Sequence, residues 1–223
     1  MLTKQNQTQE YPLATRLLIA CGAIGPLLFV IVLLIEGATR PGYSAWRHFV
    51  SSLSLGPQGW VQIANFVVSG GLVLAGAIGI RHALRGHAAG TWAPPLLAVY
   101  GLGLIGAGLF VADPSDGFPP GSPPFHGLSR SGMLHFVFGG IGFFAVIAAC
   151  FVFARRFGLA QRQGFAWWSA MTGAFFSASF AAVASGAKSP LVMLTFYASV
   201  VWLWIWHAAV HARVRAEAGA TCS

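Results

Sequence analysis

Apolar residues in this chain come in six long, nearly unbroken runs, without the alternation that marks half-buried strands or surface helices. The runs are roughly Leu13–Ile35, Trp60–Ile80, Trp92–Ala112, Ser131–Ala154, Phe165–Ser185 and Pro190–Val210. A helix needs about 20 mostly apolar residues to cross the hydrocarbon of a bilayer, and each run meets that length. None holds Arg, Lys, Asp or Glu away from its ends. One such charge at a helix centre would cost about 2.5–3.5 kcal/mol on insertion. The pattern predicts an all-α fold: a polytopic membrane bundle of six transmembrane helices, forming a single membrane domain over residues 1–223.

Composition sharpens this reading. Of the 223 residues, 56% are hydrophobic and 8% charged, against about 25% charged in a soluble domain. That is too little charge to build a water-facing surface, so lipid is the expected surroundings. The net charge of +8 does not point to nucleic acid, because the basic residues sit in short clusters between apolar runs and form no basic stripe. Their distribution instead orients the helices. Nine Lys and Arg, among them Lys4, Arg81, Arg155 and Arg213, flank one side; four, Arg40, Arg47, Arg130 and Lys188, flank the other. The positive-inside rule places the first side in the cytoplasm, giving cytoplasmic termini in a cell inner (plasma) membrane. Trp92, Trp167, Trp168, Trp204 and Trp206 are expected near the inner interface, and Trp46 and Trp60 near the outer one.

The polar stretch Met1–Glu10 and the length of the run that follows argue for a retained first helix over a cleaved signal. Cys21 and Cys150 read as small apolar fillers, and Cys222 fits no prenylation box. Small residues every four positions (Ser169, Gly173, Ser177, Ala181 and Ser185; Gly71, Ala75 and Gly79) predict close helix contacts. They serve bundle packing first and a homo-oligomer or partner-subunit interface second. Pro26 predicts a kink.

Candidate chemistry gathers on the predicted outer face. Glu36, Asp113 and Asp116 lie there with Arg40, Arg47, His48, His126, Arg130 and His135. Gln62, Asn65 and Ser69 form a polar stripe on the second helix, and Ser131 and His135 share a face of the fourth. Polar groups at such depth face the bundle interior or a water-filled cavity, so an outer-facing polar pocket is expected. Two readings follow. Asp113, Asp116, His126 and His135, with His48 as a further candidate, supply the carboxylate and imidazole ligands that suit zinc or another divalent metal. Alternatively, the same residues form an ion-pair network, with Arg47 or Arg130 against Asp113. Their spacing matches no sharp metal motif. His82 and His87 read as solvated loop residues, and His207 and His211 as a pair facing headgroups. No nucleophile elbow, phosphate loop or dinucleotide fingerprint is present.

The run Arg47-His48-x-x-Ser51-x-Leu53-x-x-Gly56-x-x-Gly59-Trp60, followed by Asn65-Phe66, resembles the signature of the domain of unknown function 998 family. Gly108-x-Phe110-x-x-Asp113-Pro114 and His126-Gly127 are similar to it as well. The resemblance covers nearly the whole chain and implies a bacterial or archaeal six-helix membrane protein, without supplying an activity. It adds weight to Arg47, His48, Ser51, Asn65, Asp113 and His126. The expectation is an outer pocket in which Arg47, His48, Ser51, Asn65 and Arg130 bind a small or lipid-like ligand or a membrane partner. The alternative is a metal-assisted hydrolase or lipid-modifying enzyme built on the acidic and histidine set.

Overall fold

The computed structural model describes residues 11–219. Each apolar run forms a helix: α1 (Leu13–Thr39), α2 (Gly59–Ala83), α3 (Ala88–Leu109), α4 (Arg130–Leu159), α5 (Gln163–Ala184) and α6 (Pro190–Gly219). A 3₁₀ turn, Val50–Ser54, sits between α1 and α2, and no strand forms among the described residues. Each helix packs on its neighbour in sequence, and α6 closes the ring on α1. The outward faces carry Leu17, Ile24, Leu27 and Ile31 on α1 and Phe136 and Phe144 on α4, all about half exposed or more. The inward faces bury Phe29, Tyr100, Phe153, Phe176 and Trp204. A bundle whose outer surface is as apolar as its core has lipid as its solvent.

Five of the six helices are long and apolar enough to cross a membrane; α5 is outside that set. Its hydroxyls lower its hydropathy, yet they are satisfied within the helix. Ser169 donates to the Phe165 carbonyl at 2.7 Å, Thr172 to that of Trp168 at 2.8 Å and Ser177 to that of Gly173 at 2.7 Å. A hydroxyl bonded to its own backbone carries less penalty in lipid than its residue type implies.

Connections alternate between the two ends. The loops after α1, α3 and α5 meet at one end, where Arg47 and Lys188 both reach Asp116. Tyr11, the loops after α2 and α4 and the last turns of α6 lie at the other. There the Tyr11 hydroxyl donates to the Ala83 carbonyl at 2.6 Å, and Arg156 and Arg213 pair with Glu217.

Several local expectations are corrected. Helix α3 starts before Trp92 despite Pro94 and Pro95 in its interior. Pro94 has no N–H to give the carbonyl four residues back, and the Arg81 guanidinium supplies that bond to the Gly90 oxygen at 3.2 Å. The same helix stops at Leu109, short of Ala112, because α4 side chains claim the carbonyls beyond it. Trp204 and Trp206 are buried and form no interfacial belt. Trp204 stacks on Phe29 at 4.3 Å, and the Trp206 indole donates to the Ser169 hydroxyl at 2.9 Å. His207 and His211 are likewise buried, stacked at 4.6 Å, and do not face headgroups. Helix α2 packs closely through Gly70 on α3 and through Gly76 and Gly79 on α1, whereas Gly71 faces open space.

Candidate functional site

The three loops at the Asp116 end form a stitched cap. At its base, Glu36 and Arg40 on the last turn of α1 make a buried ion pair of 2.6 Å. Arg40 also donates to the carbonyls of Leu55 at 3.0 Å and Gln58 at 2.9 Å, fixing the segment that enters α2. At the top, the Asp116 carbonyl accepts from His48 Nε2 at 3.3 Å and from Arg47 at 3.4 Å. Its carboxylate takes Lys188 Nζ at 2.9 Å. One residue thus ties all three loops together.

The electrostatics follow from these contacts. Partial burial works against the Asp116 carboxylate, but Lys188, with Ser115 and His48, outweighs it and holds the group below its ordinary pKa. Burial depresses the pKa of His48, the Asp116 carbonyl opposes that shift and Arg47 adds to it. The His48 tautomer is determined. Nδ1 accepts from the Ser44 amide at 3.0 Å, so Nε2 carries the proton it gives to Asp116. Both ring nitrogens are then in use.

The junction between α3 and α4 is bonded just as fully. Ser129 caps α4 by accepting from the Gly132 amide at 3.0 Å, and Asp113 Oδ2 accepts from the Ser129 amide at 2.9 Å. A carboxylate at this helix N-terminus complements the macrodipole. Ser131 donates to the Val111 carbonyl at 2.9 Å. His135 Nδ1 lies 2.8 Å from the Ala107 carbonyl and 2.9 Å from that of Phe110. Carbonyls only accept, so Nδ1 bears the ring proton and the two oxygens left at the end of α3 share it.

This arrangement does not bring the four expected metal ligands together. Asp113 is committed to α4, Asp116 to Lys188 and His135 Nδ1 to carbonyls, while His126 is exposed on its loop. No three His, Cys, Asp or Glu side chains converge among the described residues. The expected polar pocket is also redistributed. Arg47 and His48 belong to the cap. Asn65 is buried in the α1–α2 seam, donating to the Phe29 carbonyl and to Gln62, both at 3.2 Å. Arg130 is exposed at the start of α4. Ser51 and His135 are the two candidates that reach a cavity.

That cavity lies beneath the cap in the same half of the bundle and has a volume of about 310 Å³. The 3₁₀ turn roofs it with Val50 and Ser51, and Tyr100 and Trp204 lie deepest. Phenylalanines from α1, α2, α4, α5 and α6 line it together with small and aliphatic residues. Ser51, Tyr100, His135 and Trp204 bring its polar side-chain atoms. Between α4 and α5 the wall thins. Gly173 presses on Cys150 and Phe151 where the two helices are close, but Gly139 and Gly140, further toward the cap, meet nothing. Sequence reasoning missed this cavity because its lining comes from every helix and no local pattern marks it.

No curated protein and no solved structure matches the chain. A family model described as "Protein of unknown function (DUF998)" matches residues 23–213, from within α1 to well into α6. With that span matched, this multi-pass helical membrane protein belongs to the DUF998 family.

Proposed function

We propose that the chain is a six-span protein of a cell inner membrane, termini in the cytoplasm, that binds the apolar chain of an outer-leaflet lipid in its central cavity. The excess of Lys and Arg around the terminal end supports the orientation. The path of α5 supports the sixth crossing. It leaves the end where α4 finishes and is followed by Lys188 at the Asp116 cap, and its 22 residues span about 33 Å at 1.5 Å per residue.

The observation that carries the ligand reading is the cavity itself. Its volume falls at the small end of the range for ligand sites, about 300–1,000 Å³. Its lining is mostly aromatic and aliphatic, and it lies at lipid depth under a cap whose Arg40, Arg47, His48, Asp116 and Lys188 each have partners of their own. An apolar chain enters such a space from the side, and Gly139 and Gly140 leave room for it between α4 and α5. The charged residues of the cap, Arg40, Arg47, Asp116 and Lys188, then act as the closed lid of the site and do not form its binding surface.

Native mass spectrometry of the full chain, released from nanodiscs of outer-leaflet lipids, tests this directly. Wild type is expected to retain a stoichiometric lipid. Gly140→Phe, which places a ring in open space, is expected to lose it without losing thermal stability. Equal lipid retention in the two proteins would refute the assignment.

A further inference from the structure

We infer that His135 is the recognition group of this cavity and selects lipids that carry a hydroxyl. The inference rests on the cavity being a lipid site and names the head chemistry such a lipid must present.

Donation from Nδ1 to the carbonyls of Ala107 and Phe110 fixes the tautomer. A neutral imidazole with its proton on Nδ1 has a bare lone pair on Nε2. Nε2 takes no hydrogen bond among the described residues, and it is not sealed in the protein as the unpartnered ring nitrogens of His207 and His211 are. The ring lines the cavity and is otherwise enclosed, with Phe66 at 6.3 Å and Phe136 at 5.7 Å, both edge to face. The cavity therefore presents one acceptor of fixed orientation, beside the hydroxyls of Ser51 and Tyr100 and the indole of Trp204.

An acceptor of this kind discriminates by what it rejects. A carboxylate or phosphate would bring a second lone pair and a charge against it. An ether or ester would leave it bare. A hydroxyl donates to it and leaves its own oxygen free to accept, and Ser51 lines the same cavity as a donor. The position fits as well. His135 is on the second turn of α4, close to the cap, so a hydroxyl held there leaves the attached chain to run down the phenylalanine-lined depth toward Trp204. The class is a long-chain or isoprenoid alcohol, or a neutral glyceride with a free hydroxyl.

Competition by native mass spectrometry between a long-chain alcohol and its methyl ether decides the matter in the full-length protein. Wild type is expected to prefer the alcohol about tenfold, which corresponds to about 1.4 kcal/mol. His135→Phe is expected to bind both equally while still binding the ether. A wild-type protein that binds alcohol and ether alike would overturn the role of His135, as would a preference that survives the substitution. Failure to bind either probe would overturn the lipid reading itself. Because His135 also holds the end of α3, a second measurement avoids the variant. In ¹⁵N-histidine-labelled wild type, the His135 Nε2 resonance should move upfield on adding the alcohol and stay fixed on adding the ether. A resonance that ignores the alcohol sinks the inference even if the variant does not fold.

Discussion

Removing Arg40 and neutralising Glu36 should have unequal consequences, because the two partners depend on each other unequally. Arg40 and Glu36 are both buried and lie 2.6 Å apart. The guanidinium has two further acceptors, the carbonyls of Leu55 and Gln58. The carboxylate has no such reserve: its second oxygen, Oε2, is buried without a partner. Arg40→Met therefore deletes three hydrogen bonds and strands an acid in the interior. Breaking a buried pair in this way costs about 3–5 kcal/mol, or about 6–20 °C in thermal midpoint for a chain of this size. Glu36→Gln keeps an oxygen for Arg40 and leaves both carbonyl bonds in place. Its expected loss is about 1–2 kcal/mol, the difference between a charged and a neutral acceptor plus some residual desolvation. The double variant should be no less stable than Arg40→Met alone, since the stranded charge is gone. Thermal unfolding in one detergent, followed by intrinsic fluorescence and light scattering, measures all three. A Glu36→Gln protein as unstable as Arg40→Met would refute the asymmetry, and with it the view that Arg40 organises the entry to α2.

The buried histidine pair gives a packing test. A Cβ at Gly22 would run into the His211 ring, so Gly22→Ala should lower stability by about 1–3 kcal/mol. His211→Ala should restore part of that loss, while Gly71→Ala, which meets nothing, should be close to neutral. A Gly22→Ala protein as stable as wild type would show that the α1–α2–α6 seam is looser than described. Acid should loosen the cap through two groups with the same sign. His48 titrates below its ordinary 6.5, so the unfolded cap binds protons more readily and stability falls as pH drops from 6.5. Asp116 titrates below its ordinary 3.8, so the Lys188 contact holds above about pH 4 and is lost as pH falls through the folded pKa. That pair is part exposed and contributes only about 0.2–1 kcal/mol. Amide exchange over Ser115–Phe118, corrected for intrinsic rates, should therefore accelerate in two steps as pH falls from 6.5 to about 2, the upper one below 6.5 from His48 and the lower one below about 4 from Asp116. Lys188→Met should remove only the lower step, and exchange that is flat across this range would exclude both groups from the cap.

How much of this was legible depended on what each feature answers to. The helices were readable because lipid imposes one requirement on every residue of a span: all six runs are helical, and five are long and apolar enough to cross. Their ends were less readable. The end of α3 was half readable: Pro114 has no N–H for the Phe110 carbonyl and disfavours helix at Asp113, but nothing local says that His135 and Ser131, twenty or more residues on, take the freed carbonyls. Trp204 and His207 misled for a related reason. Near the end of an apolar run, a tryptophan or histidine reads as an interfacial anchor, and only the extension of α6 to Gly219 carries both into the core. The polar residues were correctly gathered at one end of the bundle. Their partners were not legible, because choosing between Asp113 and Asp116 as the anchor for Arg47 is a matter of ångströms.

The cavity exposes a deeper limit. In a soluble protein, polar residues in apolar surroundings are a fair guide to a binding site, since burying them needs a reason. In this bundle the same reasoning led to Arg47, His48, Asn65 and Asp113, and each has a structural partner that accounts for it. The space a ligand can occupy is lined by phenylalanines that look, one at a time, like any lipid-facing residue. Substitutions chosen for polarity will therefore mostly report on how the cap holds together. Asp113→Ala should reduce lipid retention only as far as it unfolds the start of α4, so its loss of ligand should track its loss of thermal stability. Gly140→Phe should separate the two, losing ligand with its stability intact. If the order is reversed, with Asp113→Ala stable but empty and Gly140→Phe still loaded, the binding site is the cap, and the cavity is only a gap in the packing.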